Sequence, residues 1–452
     1  MKFVIIGNGV AGITAAFTIR TREPEAEIVV ISGESDFFFS RTALMYAYMD
    51  KMSLRDLEPY ERDVWRKQRI DLIRDWVVDL DAKAHTLRLK SGRELPYDRL
   101  LIATGSVPNR IPWPGMDRAR EGVVHFVSLQ HLAECERLTR PGGHAVVVGG
   151  GLIGVELVEC LRHHGMNVTF LVREPWYWPM ALGAEEGRLI SEHISGHGVD
   201  LLHEEEVAEV HVDDAGRVEA VSTNKGQRLT CDLFGVAVGV RPAIAWLEGV
   251  ATPPELGRGV VVDASFATSL EHVYAAGDVA EVHRPGERPS IEAIWYSDKL
   301  HGELAGRAML GDAIDYHRPL FYNSSKFFEI EYTTVGRPVE FPAAKQPLAC
   351  QTPAGASSFY WRPPGEERCV RIVECNGAVI GFNMLGSRWD HSFFERWIRE
   401  RRSLAYVVEH LDEAQFDVEF GRASLAGLRG EFVRWRDAGA GSPPENKVLE
   451  EV

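Results

Sequence analysis

The sequence has no C-x-x-C pair, little positive charge to spare, and no apolar run long enough to span a bilayer. Six cysteines, Cys135, Cys160, Cys231, Cys350, Cys369 and Cys375, are scattered without a metal-ligand rhythm. That spacing argues against a disulfide scaffold and a zinc site, so reduced thiols and no metal are expected. Lysine and arginine number 50 against 66 aspartates and glutamates, a formal charge of −16. Nucleic acid and anionic lipid repel such a chain, which leaves small-molecule chemistry as the expectation. The longest late apolar run, 145–161, contains three consecutive glycines and Glu156, too interrupted for a membrane span. The opening run, MKFVIIGNGVAGITAAF, lacks a small-residue cleavage site, so it reads as structure and not as a secretory signal. A cytoplasmic protein with no membrane insertion is expected. With 452 residues and 45% hydrophobic content, two or three domains are expected.

What the chain does have is glycine in a pattern. FVII, residues 3–6, reads as a short buried strand, and Gly7-Asn8-Gly9-Val10-Ala11-Gly12 opens a helix through about Arg20. In such a unit the first glycine makes the turn, the second admits a pyrophosphate, and the third lets helix pack on strand. A second strand, Glu27 to Ser32, ends near Glu34, placed to accept from a ribose hydroxyl. The unit then recurs. AVVV, 145–148, leads into Gly149-Gly150-Gly151-Leu152-Ile153-Gly154, a helix with Glu156, and a strand Asn167 to Val172. Two such units imply two bound nucleotides.

Three further segments support the pattern: YDRLLIATGSVPN (97–109), CDLFGVAVGVRP (231–242) and HVYAAGDVA (272–280) each read as a buried strand ending in small residues. The last puts Asp278 where a carboxylate can meet a sugar hydroxyl or cap a helix.

The ordered set GxGxxG (7–12), ATG (103–105), GGGxxGxE (149–156), GVRP (239–242) and AAGD (275–278) resembles the pyridine nucleotide-disulfide oxidoreductase superfamily over roughly residues 1–310. ISGESDFFFSRTAL (31–44), with Glu34, Phe39, Arg41 and Leu44, is similar to the branch of ferredoxin reductases, rubredoxin reductases and nitrite reductase flavin modules. The resemblance implies an α/β fold: two Rossmann-like domains, one split around the other, and a C-terminal α+β domain. The implied boundaries are 1–112 and 250–314 for FAD, 113–249 for NAD(P)H, 315–437 for the third domain, and a flexible tail at 438–452. It also implies FAD held by Gly7, Gly9, Val10, Ala11 and Gly12, with Glu34 at the adenosine ribose and Arg41 on the flavin side. Val77, Ala103, Thr104, Gly105 and Gly277 would line that cofactor, Asp278 would hold its ribityl chain, and Trp295 would lie near the ring unless it is a core tryptophan. Gly149, Gly151, Leu152, Ile153, Gly154, Arg173 and Gly239 would bind NADH or NADPH, with Glu156 near the nicotinamide or serving as an ordinary helix acid.

Two departures from the family pattern matter. Disulfide-reducing members carry C-x-x-x-x-C on the first helix, or one cysteine near 40–45; here FFFSRTALMYAY (37–48) has none, and the nearest cysteine in sequence is Cys135. Electrons are therefore expected to leave for another acceptor. At the second strand's end, Arg173 leans toward NADPH while Glu174 favours NADH. No catalytic acid-base triad is required.

After about 315, Phe327 to Val335 and Val370 to Val373 read as strands, CNGAVIGFNML (375–385) as an Asn-Gly hairpin, and 390–411 as one or two helices. Arg388, Arg396, Arg399, Arg401 and Arg402 beside Phe393, Phe394 and Trp397 would either dock an acidic electron carrier or pair with Asp390, Glu395 and Glu400 on a packed helix. The leading function is an FAD-dependent NAD(P)H oxidoreductase serving a carrier such as ferredoxin or rubredoxin, as a homodimer or within a larger redox complex. The alternatives are an oxidase, a peroxide or quinone reductase, or a redox-sensing or scaffold subunit.

Overall fold

The computed structural model describes residues 1–339, 353, 355–416 and 425–438. Its first sheet is wholly parallel, in the order Val273–Ala275, Arg99–Ile102, Lys2–Ile6, Glu27–Ser32, Ile70–Arg74. Ile28, Val29, Val30 and Ile31 are all buried, as a strand covered on both faces requires. One covering layer is the helix Val10–Arg22, which packs on the helix Trp295–Met309. A Cβ at Gly302 would fall 2.2 Å from the Ala11 carbonyl oxygen, so only glycine allows that approach. An antiparallel sheet of Val77–Asp81, Thr86–Leu89 and Glu94–Pro96 sits on the same unit.

The second parallel sheet has the order Val199–His203, Asn167–Val172, His144–Val148, Leu233–Val236, Val123–Val124. Since Val273–Ala275 returns to the first sheet, the first Rossmann-like domain is split around the second. The two crossings lie side by side: Ser106–Pro108 pairs antiparallel with Val240–Pro242. This ribbon begins the proline-rich stretch 108–115 and ties both passes together.

The third sheet is antiparallel, in the order Tyr322–Phe327, Ile330–Gly336, Ala378–Leu385, Cys369–Cys375, Ser357–Trp361. The expected strand over 327–335 is instead two strands, because Phe328 at φ +53° turns the chain between them. The Asn-Gly hairpin forms as expected: Asn376 and Gly377 both have positive φ, and Cys375 pairs with Ala378. Helices His391–Arg399, Leu404–His410 and Ala426–Asp437 join this sheet around Phe359, Phe382, Phe394 and Trp397.

Burial of Phe394 and Trp397 decides the character of the arginine cluster. Arg388 pairs with Glu331 at 2.7 Å, Arg399 with Glu395 at 2.7 Å and Arg402 with Glu400 at 2.8 Å. Arg396 lies 3.8 Å from Glu413 and over the Phe393 ring. Asp390 caps the helix, accepting from Ser392 N–H at 2.9 Å. This is a packed helix on which four of the five arginines meet carboxylates, which weakens the charge available for docking an acidic carrier. The expected tail beyond residue 438 lies outside the described residues, as does Cys350. Among the described residues, no helix is long and apolar enough to cross a membrane.

Candidate functional site

Both glycine turns have one geometry, and a missing side chain at each position has a separate reason. At Gly7, φ is +114° and an added Cβ would lie 2.1 Å from the Ala103 carbonyl oxygen. The turn thus presses on the end of the neighbouring strand. At Gly12, a Cβ would lie 2.0 Å from the Gly7 carbonyl oxygen. At Gly9 it would meet nothing within 4 Å. The second unit repeats all three: Gly149 has φ +120° with Ala237 oxygen at 2.2 Å, Gly154 meets Gly149 oxygen at 2.0 Å, and Gly151 meets nothing. In each unit two glycines answer to the chain's own backbone and the third faces open space. Open space at a helix N-terminus, with N–H groups pointing outward, fits a pyrophosphate. Val10 and Ala11 start the first helix, Leu152 and Ile153 the second.

Glu34 and Arg41 are one bidentate pair, at 2.9 and 2.7 Å. They therefore stand together, so the acid expected at the ribose and the arginine expected on the flavin side share one ion pair. Glu34 also accepts from the Leu129 N–H at 3.1 Å, so its carboxylate is braced by the second unit. Asn8 donates to Ser35 Oγ at 3.0 Å and to the Ser35 carbonyl at 3.1 Å, fixing the loop that carries Glu34. Trp76, 56% exposed, covers Gly33, where a Cβ would fall 2.1 Å from the indole. This exposed flat ring lies one residue from Glu34 through Gly33, and nothing in the local sequence pattern marks it.

Val77 and Ala103 are buried, and the Thr104 hydroxyl donates to the Ala243 carbonyl at 3.3 Å. Gly105 accepts from the Ala243 N–H at 2.9 Å, so this loop is held to the return crossing. Gly239, likewise at the crossing, accepts from the Asn109 N–H at 3.0 Å. Asp278 lies in the short helix Gly277–Val279, whose cap is Ala276, and accepts from the Ser106 hydroxyl at 2.5 Å. It is therefore not the N-cap. Burial first, then the nearby Asp278, holds the Asp298 carboxyl well above the ordinary carboxylate range. Asp298 was not apparent from sequence, since its neighbour belongs to another element.

Trp295 is 37% exposed, which rules out a core tryptophan. Its ring lies edge-on to Tyr296 at 5.4 Å, with Lys299 Nζ at 5.6 Å.

The stretch 37–48 forms a seam with the second unit. The helix Leu44–Tyr48 packs against the second unit. The Tyr48 hydroxyl meets the Thr139 hydroxyl, its carbonyl meets His164, and the Cys160 thiol donates to the Met45 carbonyl at 3.7 Å. That thiol is the spatial neighbour that sequence distance concealed. It is fully buried, and burial followed by Glu159 and Glu156 pushes its pKa far up, which disfavours the reactive thiolate.

Glu156 lies on the helix Leu152–His163, one turn before Glu159, which meets the third sheet through Lys326. Lys326, from the third, donates to Glu159 at 2.5 Å and to the Phe328 carbonyl at 3.1 Å, with Nζ 5.8 Å from the Tyr46 ring. Desolvation, then Glu159, pushes the Glu156 carboxyl up to about 7, against the pull of Lys326. Between its ordinary range and about 7, the folded protein keeps a proton that the unfolded chain releases, so stability falls as pH rises through that window. Glu156→Gln is expected to remove this slope, gaining up to about 3 kcal/mol at pH 8 relative to pH 4. Urea denaturation of both proteins across that range measures it.

Residues 1–296 match the family model described as pyridine nucleotide-disulphide oxidoreductase. The chain belongs to this family. It is an oxidoreductase of the kind that uses FAD with a pyridine nucleotide. It is 32% identical over 317 residues to the ferredoxin–NAD(+) reductase component of the biphenyl dioxygenase system of Paraburkholderia xenovorans, covering 69% of this chain and 75% of that one. It is 30% identical over 285 residues to the nitrite reductase [NAD(P)H] of Bacillus subtilis, covering 63% of this chain. That match spans about a third, 34%, of the nitrite reductase. The fold also matches a ferredoxin reductase from Rhodopseudomonas palustris, with TM-score 0.77, 23% identity, and coverage of 89% and 95%.

Proposed function

We propose that the chain passes electrons from NADPH through FAD to a small protein electron carrier. The observation that carries this reading is the pair of matching glycine cradles, each with one glycine facing open space, together with a buried Cys160 thiol behind the stretch 37–48. FAD, when bound, supplies the conversion of a hydride into single electrons. The chain's own residues do the rest. Gly9 and the first helix's N-terminus would hold the pyrophosphate, Glu34 with Arg41 the adenosine end, and Asp278 the polyol chain. Gly151 and its helix would hold the nicotinamide nucleotide, and Glu156 would set the protonation state beside the nicotinamide. The ferredoxin–NAD(+) reductase relative supports a carrier as acceptor. Residues 1–112 with 250–314 would form the flavin unit, 113–249 the nucleotide unit, and 315–437 the third, in keeping with the sheet memberships.

Preference for NADPH rests on Arg173. It is exposed, and its Nε donates to Glu174 at 2.8 Å, a bond that leaves the terminal nitrogens turned to other partners such as a 2′-phosphate. Arg173→Ala is expected to weaken NADPH about tenfold or more, the worth of one charged hydrogen bond, and to spare NADH. Anaerobic stopped-flow reduction of the flavin by each nucleotide measures both constants. Bleaching by neither nucleotide, with flavin present, overturns the proposed function; bleaching without transfer to any ferredoxin or rubredoxin overturns the acceptor.

A further inference from the structure

Away from the nucleotide cradles, two histidines and a carboxylate converge where the second and third units meet. His193 lies on the helix Ala184–Gly196, and His197, its C-cap residue, follows one turn later on the same face. Their rings are 4.5 Å apart. The turn between strands Tyr322–Phe327 and Ile330–Gly336 delivers Glu329, and its Phe328 ring stacks on His197 at 4.2 Å. The Nε2 atoms of His193 and His197 lie 3.3 and 2.9 Å from Glu329 Oε2.

Tautomer logic makes this convergence informative. His197 Nδ1 lies 2.8 Å from the His193 carbonyl, which can only accept, so Nδ1 carries the proton. His193 Nδ1 lies 2.9 Å from Glu367 Oε1, which fixes its proton on the same atom. With Nδ1 as the donor on each ring, the nitrogen left to act as a ligand is Nε2, and both Nε2 atoms converge on one carboxylate oxygen. Three possible ligand atoms then face one another, and the buried His193 Nε2 makes no hydrogen bond. A cation between them would satisfy all three. All the donor atoms lie within 4.8 Å of one another. A tetrahedral zinc with bonds near 2.0–2.1 Å holds its donors roughly 3.3 Å apart, a small side-chain adjustment from this arrangement.

We propose that His193, His197 and Glu329 bind a divalent transition metal, Zn²⁺ by donor chemistry, as a clamp between the nucleotide unit and the third sheet. Nitrogen and carboxylate donors in tetrahedral reach suit zinc, and an imidazole whose far nitrogen donates to a carboxylate is the usual outer support of such a ligand. Glu367 is that support. Two of the ligands precede the third by a long stretch of chain, so the ion would fasten Phe328 and Lys326 against the helix bearing His193.

The test is isothermal titration of the full-length, flavin-loaded protein with ZnCl₂ after chelator treatment. One ion per chain with a Kd of about 1 µM or tighter is expected, with a raised unfolding midpoint. His197→Ala and Glu329→Gln each change a residue at or near the surface, and each is expected to weaken binding about 100-fold while flavin content stays normal; Glu367→Gln should weaken it by about 10- to 100-fold. Absence of micromolar binding overturns the proposal, as it would mean that the imidazoles are protonated and simply ion-paired. Zinc binding that survives both substitutions also overturns it, by placing the ion elsewhere.

Discussion

Gly9→Val is expected to give a folded, stable protein that purifies without flavin. The backbone at Gly9 has φ −72° and ψ −178°, a conformation valine adopts readily, and its Cβ meets no protein atom within 4 Å. The chain therefore has no reason of its own for glycine there. The side chain would stand in the space proposed for the pyrophosphate, so flavin occupancy should drop at least about tenfold, the effect of losing roughly 1.4 kcal/mol or more of binding. Gly12→Val makes the contrast. Its Cβ would fall 2.0 Å from the Gly7 carbonyl oxygen, so the helix must leave the strand whether or not a ligand is present. That costs about 3 kcal/mol or more of stability. Gly151→Val transfers the first logic to the second cradle: flavin retained, reduction by the nicotinamide nucleotide lost. Visible absorbance, thermal unfolding and anaerobic reduction of the three variants separate the outcomes. A Gly9→Val protein that keeps its flavin would remove the cradle from the site.

The contrast also shows why so much of the cradle is legible in sequence. A turn at positive φ, a close strand and an open helix end are local demands, met within six residues, so glycine spacing reports them directly. The same holds for strands Glu27–Ser32 and Asn167–Val172, whose bounds follow from unbroken buried runs, and for the Asn376-Gly377 turn. What the sequence conceals is long-range. Nothing near Glu34 announces the Leu129 N–H that it accepts from, nothing near Glu156 announces Lys326, and Trp76 looks like any exposed aromatic. The 327–335 run reads as one strand because hydrophobic content continues through Phe328, where only the backbone reverses. Likewise, the paired histidines are visible as a helical spacing, but their carboxylate comes from a hairpin in another sheet.

Arg371→Met is expected to cost about 3–5 kcal/mol, the largest stability loss argued for a single side chain here. Arg371 extends from strand Cys369–Cys375 and is 9% exposed. Its Nε and Nη2 bond the two Glu186 oxygens at 2.5 and 2.7 Å, Nη2 also meets Glu185 at 2.7 Å, and Nη1 donates to Ser358 Oγ at 2.8 Å. Both glutamates occupy the first turn of the helix Ala184–Gly196, where the helix dipole favours negative charge. Glu185 is half-exposed and contributes little; Glu186 is 0% exposed, so removing the guanidinium strands a buried carboxylate. Lysine cannot replace the planar fork that reaches both oxygens. The double variant Arg371→Met with Glu186→Gln should recover most of the loss, because the cost lies in the unpaired charge and not in the pair's net attraction. Urea denaturation of the single and double variants gives the coupling. If the double variant stays as unstable as the single, packing and not charge fastens the third sheet to the nucleotide unit. Recovery would mean that one buried ion pair holds the helix that carries His193 to the sheet that carries Lys326, whose ammonium meets Glu159.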